Sequence, residues 1–322
     1  MSSSADTSIP ANMKAEVIDH FGPPDVMHAA VIPVPDLDEN DVLIRVATAG
    51  VGVWDPDLCA GELDTGSGFP RVLGSEGAGT VTAVGSAVRR FRAGDSVYAW
   101  GFLNPKGGLF AEYAALPEDE VSPVPDTLSL EEAGAFAVDG LTALAGLDQL
   151  GLAPGQTLVI LGASGGVGHL ALQLAKRFGA RVLALASGED GVSFALRLGA
   201  DEAIEGHRPD VAAKARAFAP NGFDAALLLT GTRVEELLGL VRQGGRIAHP
   251  NGIEPEPTPP PGVRVQAFDG YHGRNALDRL NRLVSEGPLH VEVSRTYTLD
   301  AAPQALRDVK RHHLGKLVVQ VQ

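Results

Sequence analysis

The clearest chemical signal in the chain is the run Gly162-Ala163-Ser164-Gly165-Gly166-Val167-Gly168, which follows four apolar residues, Leu158-Val159-Ile160-Leu161. Glycines at this density let backbone approach a bulky anion. A helix that opens in such a turn offers free N–H groups and the positive end of its dipole. The chemistry served is the seating of a dinucleotide's diphosphate, provided the run lies between a strand and a helix. The same residues also spell Gly-x-Ser-x-Gly with Ser164 at the centre, the pattern of a nucleophile elbow. Asp269 and His290 follow in the chain order that an α/β-hydrolase needs, so a Ser164 hydrolase stands as the alternative.

The elements that must position these residues decide between the two. From Ser129 onward, helical and strand patterns alternate. Residues 130–150 are rich in Ala and Leu and read as one helix. Residues 157–161 read as a strand. Residues 167–178 read as a helix, with Leu170, Leu174 and Phe178 on one face and Gly179 as its stop. Strands follow at 181–186, 225–229 and 246–249, with helical pattern at 194–198 and 234–242 between them. This series predicts a doubly wound parallel sheet covered on both faces. Residues 14–125 instead show short strands every ten or so positions, punctuated by Gly and Pro, which predicts a β-barrel or sandwich. A hydrolase would need βα units ahead of its elbow, and this part of the chain does not supply them. Residues 254–262 are Pro-rich and read as a loop.

Composition narrows the function further. The 322 residues are 44% hydrophobic and 20% charged, which suits a globular protein of about two domains. The formal net charge of −14 argues against nucleic-acid or anionic-membrane partners. No apolar run is long enough to span a bilayer, and residues 1–10 lack the apolar segment of a secretory signal. A cytoplasmic protein is expected. The single cysteine, Cys59, can form neither an internal disulfide nor a multi-cysteine zinc site, and is read as buried packing. The nine histidines contain no His-Glu-x-x-His pattern, and His312-His313 read as a solvated pair.

Several stretches together resemble the medium-chain dehydrogenase/reductase superfamily, in its zinc-free quinone oxidoreductase-like branch. They are Met13-Lys14-Ala15, Leu73-Gly74-Ser75-Glu76-Gly77-Ala78-Gly79, Ala93-Gly94-Asp95-Ser96-Val97, Gly107-Gly108-Leu109-Phe110-Ala111-Glu112-Tyr113, Gly140-Leu141-Thr142-Ala143, the glycine run and Gly315-Lys316. The resemblance implies an α/β protein built from a GroES-like β-barrel domain and a Rossmann domain. The expected division is a floppy extension over 1–12, the barrel over 13–126, the dinucleotide-binding domain over 127–265, and a segment over 266–322 that returns to the barrel. It also implies a cleft between the domains, a small-molecule substrate and a homodimer joined through the Rossmann domain.

The activity implied is reduction of a quinone or an α,β-unsaturated carbonyl by hydride transfer without zinc. A biosynthetic tailoring enzyme of the same fold, a specialised reductase or a cyclase, stands as the second alternative. Where zinc enzymes of the superfamily carry Cys, His and Cys, this chain has Gly52, Ser75 and no cysteine near Ala137. The cofactor-binding residues expected are Thr142 beside the nicotinamide, Ala163, Ser164, Gly165, Gly166, Val167 and Gly168 on the diphosphate, Ser187, and the strand end Thr230-Gly231. An NAD enzyme usually ends its second Rossmann strand in Asp or Glu, whereas here Ala186 and Ser187 stand there, which favours NADP(H) while leaving NAD(H) open. The Lys and Tyr that often support a 2′-phosphate in the family correspond to Gly191 and Gly206. The catalytic candidates are Asp139, Trp54 as a roof over the substrate, and Tyr271. Asp55 is read as a helix cap.

Overall fold

The structure is a computed structural model. It describes residues 9–63, 66, 68–102, 104–231, 234–258 and 260–322, apart from the side chains of Glu235 and Glu236. The first eight residues of the expected extension lie outside the described residues; ordered strand begins at Asn12.

Two sheets make the β-rich part. A seven-stranded sheet runs Val293–Thr298, Lys316–Gln320, Asp41–Val51, Glu76–Val84, Ser96–Trp100 and Val121–Pro123, with Tyr113–Pro117 also paired to Asp41–Val51. A smaller sheet sets Asn12–Ile18 between His28–Pro33 and Arg71–Val72. Val42, Ile44, Val46, Ala99, Leu116 and Val319 fill the interior. The last strand, Lys316–Gln320, lies antiparallel to Asp41–Val51. The chain's C-terminal end therefore completes a sheet begun some 270 positions earlier, as 51↔317 and 48↔320 pairing requires.

The second unit is a six-stranded parallel sheet in the order Glu202–Glu205, Arg181–Ala186, Thr157–Leu161, Phe223–Leu228, Val241–Pro250, Arg264–Phe268. Numbered from Thr157–Leu161, that is the 3-2-1-4-5-6 order of a doubly wound dinucleotide fold, whose ligand crevice opens where the strand order reverses. The reversal lies between Leu161 and Leu228, which pair directly. The strands are nearly continuous Val, Leu, Ile and Ala because helices cover both faces.

Three details differ from the sequence expectations. The helix expected over 130–150 is two helices, Leu130–Gly134 and Ala137–Leu150. Gly134 packs so tightly on the barrel that a Cβ there would sit 2.0 Å from Thr48 Oγ1, and Phe136 turns inward against Tyr98. The helix expected over 234–242 stops at Leu238, and Val241 already pairs with Phe223 as strand. The sixth strand, Arg264–Phe268, straddles the expected 265/266 division, because it pairs in parallel with Val241–Pro250 beyond the Pro-rich loop. Among the described residues no helix is long and apolar enough to cross a membrane.

Candidate active site

The strand Thr157–Leu161 delivers the glycine turn to the crevice, and the helix Gly166–Arg177 leaves from it. Gly162 has φ +84°, a left-handed conformation that favours glycine. A Cβ on Gly168 would lie 2.0 Å from the Gly162 carbonyl oxygen, so helix and strand meet only because that side chain is absent. Gly165, Gly166 and Val167 are half-buried, while Ala163 and Ser164 are buried. The first-turn N–H groups of a helix have no intrahelical partner. This cradle therefore fits a diphosphate, and with it a nicotinamide dinucleotide.

The barrel faces the turn with a buried ionic cluster. Lys316 Nζ lies 2.6 Å from Glu76 Oε1 and 3.0 Å from Asp139 Oδ1, and all three residues are buried. Its ammonium also sits 4.7 Å from the centre of the Trp54 ring. Glu76 Oε2 accepts the backbone N–H of Val138 at 2.8 Å, so the carboxylate caps the positive end of Ala137–Leu150. Burial alone would lower the Lys316 pKa, but Asp139 and Glu76 prevail and hold it above its usual value. Burial pushes Glu76 up to about 7; Lys316 opposes the shift and Asp139 adds to it.

A second chain of hydrogen bonds runs beside this cluster. Trp54 Nε1 donates to Ser75 Oγ at 2.9 Å, Ser75 Oγ donates to Asp55 Oδ1 at 2.9 Å, and the Gly52 N–H donates to Asp55 Oδ2 at 2.7 Å. Asp55 is thus the first residue of the helix Asp55–Ala60 rather than its cap, and its carboxyl turns back to hold the loop. Burial pushes it up to about 6 despite the bonds from Gly52 and Ser75. The indole folds over Gly52, where a Cβ would meet Trp54 Cε2 at 2.2 Å. That contact explains why glycine is needed at position 52 beside this tryptophan.

The two domains are stitched together at the turn itself. The Gly315 N–H donates to the Ser164 carbonyl at 2.8 Å, and Gly165 bridges to Gly315 in parallel. His169 is buried; its Nε2 accepts the Glu292 N–H at 3.2 Å, so its Nδ1 carries the proton and donates to the Gly165 carbonyl at 3.0 Å. Burial lowers its pKa.

The expected site residues divide into two groups. Trp54 and Asp139 meet at Lys316, and Asp139 also touches the glycine turn. Thr230 lies alongside Gly162, and Ser187 adjoins Ser164, whose Oγ accepts the Ser187 N–H at 3.3 Å. Gly231 crowds the Glu254 carbonyl, and Thr142 is buried next to Gly270. Tyr271 departs from expectation. Its hydroxyl donates to Asp148 Oδ2 at 3.1 Å, in a network with Arg279 at the far end of Ala137–Leu150, more than two turns from Asp139. Nor do the hydrolase candidates converge: Asp269 accepts from Asn251, and His290 pairs with Glu292. Among the described residues no group of three or more His, Cys, Asp or Glu could hold a metal.

Two residues of the cluster, Glu76 and Lys316, were given no role by sequence reasoning. A signal existed. A lysine opening the strand Lys316–Gln320 and a glutamate in a glycine-rich strand must be paired once both strands are buried.

Comparison with known proteins agrees with this geometry. Residues 38–126 match the model of the alcohol dehydrogenase GroES-like domain, and residues 166–259 match that of the zinc-binding dehydrogenase domain. The chain is 34% identical to a 2-methylene-furan-3-one reductase of Solanum lycopersicum, over 88% of this chain and 72% of that one. It is 30% identical to the quinone oxidoreductase of Sus scrofa, over 95% and 97%. The chain belongs to the medium-chain dehydrogenase/reductase superfamily, in its quinone oxidoreductase-like branch. This oxidoreductase is also 30% identical to a chloroplastic NADPH-dependent alkenal/one oxidoreductase of Arabidopsis thaliana, over 98% and 81%. A solved NAD-dependent alcohol dehydrogenase superposes with a TM-score of 0.88 at 32% identity, covering 96% of this oxidoreductase and all of that chain.

Proposed function

We propose that this oxidoreductase reduces a quinone or an α,β-unsaturated carbonyl, with NADPH as the reductant. The observation that carries the reading is the glycine turn at the sheet's switch point, faced by Trp54 and by Gly52 and Ser75, two positions where the zinc enzymes would carry metal ligands. Relatives named for alkenal, furanone and quinone reduction support the substrate class. NADPH is preferred because Ser187 directly follows the strand Arg181–Ala186, with no carboxylate at that position to repel a 2′-phosphate or to hold a ribose hydroxyl.

When bound, NADPH supplies the hydride. The chain's own part is positioning and exclusion of water. Backbone N–H groups at the start of the helix Gly166–Arg177 hold the diphosphate, while those of Ala163 and Gly165 are spent on the Leu185 and Gly162 carbonyls and shape the turn; Thr230-Gly231 and Thr142 flank the nicotinamide half, and Ser187 meets the 2′-phosphate. Trp54, fixed by Ser75 and Lys316, roofs the substrate so that its electrophilic carbon faces the reductant. Charge developing on the carbonyl oxygen is met by hydroxyl or backbone donors, and the one proton that completes the reduction comes from water or a neighbouring side chain. The reading also carries a homodimer joined through the parallel-sheet domain, to be measured by light scattering.

The test is direct. Purified protein is titrated with NADPH and NADH, then assayed for NADPH oxidation with a panel of simple quinones and enones. Turnover of either class with preference for NADPH is expected. Binding without turnover of any acceptor overturns the reductase reading.

A further inference from the structure

Asp139 has a feature that the reductase reading leaves unused. Its Oδ1 is taken by Lys316, but its Oδ2 is fully buried and has no hydrogen-bond partner. That bare oxygen is aimed at the amino end of the helix Gly166–Arg177: a Cβ on Gly166 would stand 2.1 Å from it. Only glycine allows the contact. A buried carboxylate oxygen without a donor is unfavourable. The helix end beside it is built to receive an anion.

Charge makes the same point. One ammonium, Lys316, faces two carboxyl groups, Glu76 and Asp139, in a space closed to solvent. His169 and His313 also sense Asp139, but burial lowers the pKa of both and so works against a second cation there. Asp55 adds a further acid within range of the cluster. One ammonium thus serves two acids beside the turn that would receive a diphosphate, so Asp139 holds a cation that an incoming anion would also draw on.

We propose that Asp139 is an internal anion that competes with the cofactor's diphosphate for Lys316 and for the start of the helix Gly166–Arg177, and thereby sets how tightly the cofactor is held. The proposal rests on the dinucleotide reading of the crevice. Its consequence is counter-intuitive for a buried, ion-paired residue: removing it strengthens binding. Weakened holding serves turnover, since a reductase must release the oxidised cofactor in every cycle and release is often slow.

The test measures affinity rather than activity. Full-length wild type, Asp139→Ala and Asp139→Asn are titrated calorimetrically with NADP and NADPH at neutral pH, with circular dichroism as the check on folding. Kd should fall about tenfold in both variants, the scale set by one like charge a few Å from a bound anion in a partly screened site. Dissociation followed by stopped flow should slow in step. An unchanged or raised Kd in folded variants overturns the proposal. Loss of fold in both variants overturns it as well, because Asp139 is then a structural anchor. If no protein in the set, wild type included, binds a nicotinamide nucleotide, the dinucleotide reading falls, and this outcome is distinct from binding that merely fails to tighten.

Discussion

Replacing Lys316 by Met tests the ionic junction most severely. Lys316 is buried, with its ammonium 2.6 Å from Glu76 and 3.0 Å from Asp139. Methionine keeps the length and apolar stem but leaves two carboxyl groups with no countercharge. Breaking a buried pair by removing one partner costs about 3–5 kcal/mol, far more than the net worth of an intact pair. At roughly 2–4 °C per kcal/mol, the melting temperature should fall by about 6–20 °C. The loss must also depend on pH, with a definite sign. Glu76 keeps its proton up to about pH 7 in the folded protein, against 4.5 for an ordinary glutamate. An acid with a raised folded pKa contributes stability that is complete below the unfolded value and is lost as pH rises through the folded one. Without the ammonium, Glu76 shifts further up, so the variant goes on losing stability after the wild type has stopped. The gap between them should therefore be small near pH 5, well below the folded value, and wider near pH 8, above it.

Differential scanning fluorimetry across that range reads the gap. Adding Glu76→Gln to the Lys316→Met background should recover part of the loss, because it removes one stranded charge; the coupling expected for groups in contact is about 0.5–3 kcal/mol. A melting shift below about 3 °C at the alkaline end, or a gap that does not change with pH, would refute the buried junction.

Three further outcomes are expected. Gly168→Ala drives a methyl group into the Gly162 carbonyl, which is backbone and cannot yield cheaply, so NADPH affinity should fall more than about tenfold, with an overpacking cost of about 1–3 kcal/mol; calorimetry and thermal melts check both, and normal binding would remove the turn from the cofactor site. Trp54→Ala should raise the KM for enone or quinone more than about fivefold, the loss expected when an aromatic contact worth about 1 kcal/mol goes, while NADPH affinity stays within about twofold; equal effects on both would deny it the roof. Cys59 is buried and its thiol is pushed up to about 11 by burial and by Asp55, so native protein should resist a thiol reagent at neutral pH and react only when unfolded; rapid labelling of the native chain would contradict the packing.

The parallel-sheet domain was legible because its signals are local. The turn Gly162–Gly168 announces itself within seven residues, and the strand before it is a plain apolar run. Continuous periodicity misled where tertiary contact overrode it. Residues 130–150 carry an unbroken helical pattern, yet Gly134 must clear Thr48 and Phe136 must reach Tyr98, so the helix breaks between them. Tyr271 stands among the catalytic candidates on residue type alone, and its direction is set by Asp148 and Arg279, which no spacing rule connects to it. The strand Arg264–Phe268 hid behind the Pro-rich loop because its alternation is weak and its one fully buried residue is Phe268.

The ionic junction was illegible for a deeper reason. Its members, Glu76, Asp139 and Lys316, are separated by 63 and 177 positions, and each belongs to a different element: a barrel strand, a helix that begins the second domain, and the strand that returns to the barrel. Taken singly, Glu76 and Lys316 read as ordinary polar residues and Asp139 as an isolated catalytic candidate. Together they occupy a place where both domains and the cofactor turn meet, so a charge there is felt by folding, by domain contact and by ligand binding at once. That shared position is why Lys316→Met and Asp139→Ala should act in opposite directions. Losing the cation strands two acids and weakens the fold, whereas losing the acid nearest the turn leaves Lys316 paired with Glu76 and frees the helix start for the diphosphate. If both substitutions instead destabilised the protein and weakened cofactor binding alike, the cluster would be a simple domain clasp, and Asp139 would have no special claim on the turn.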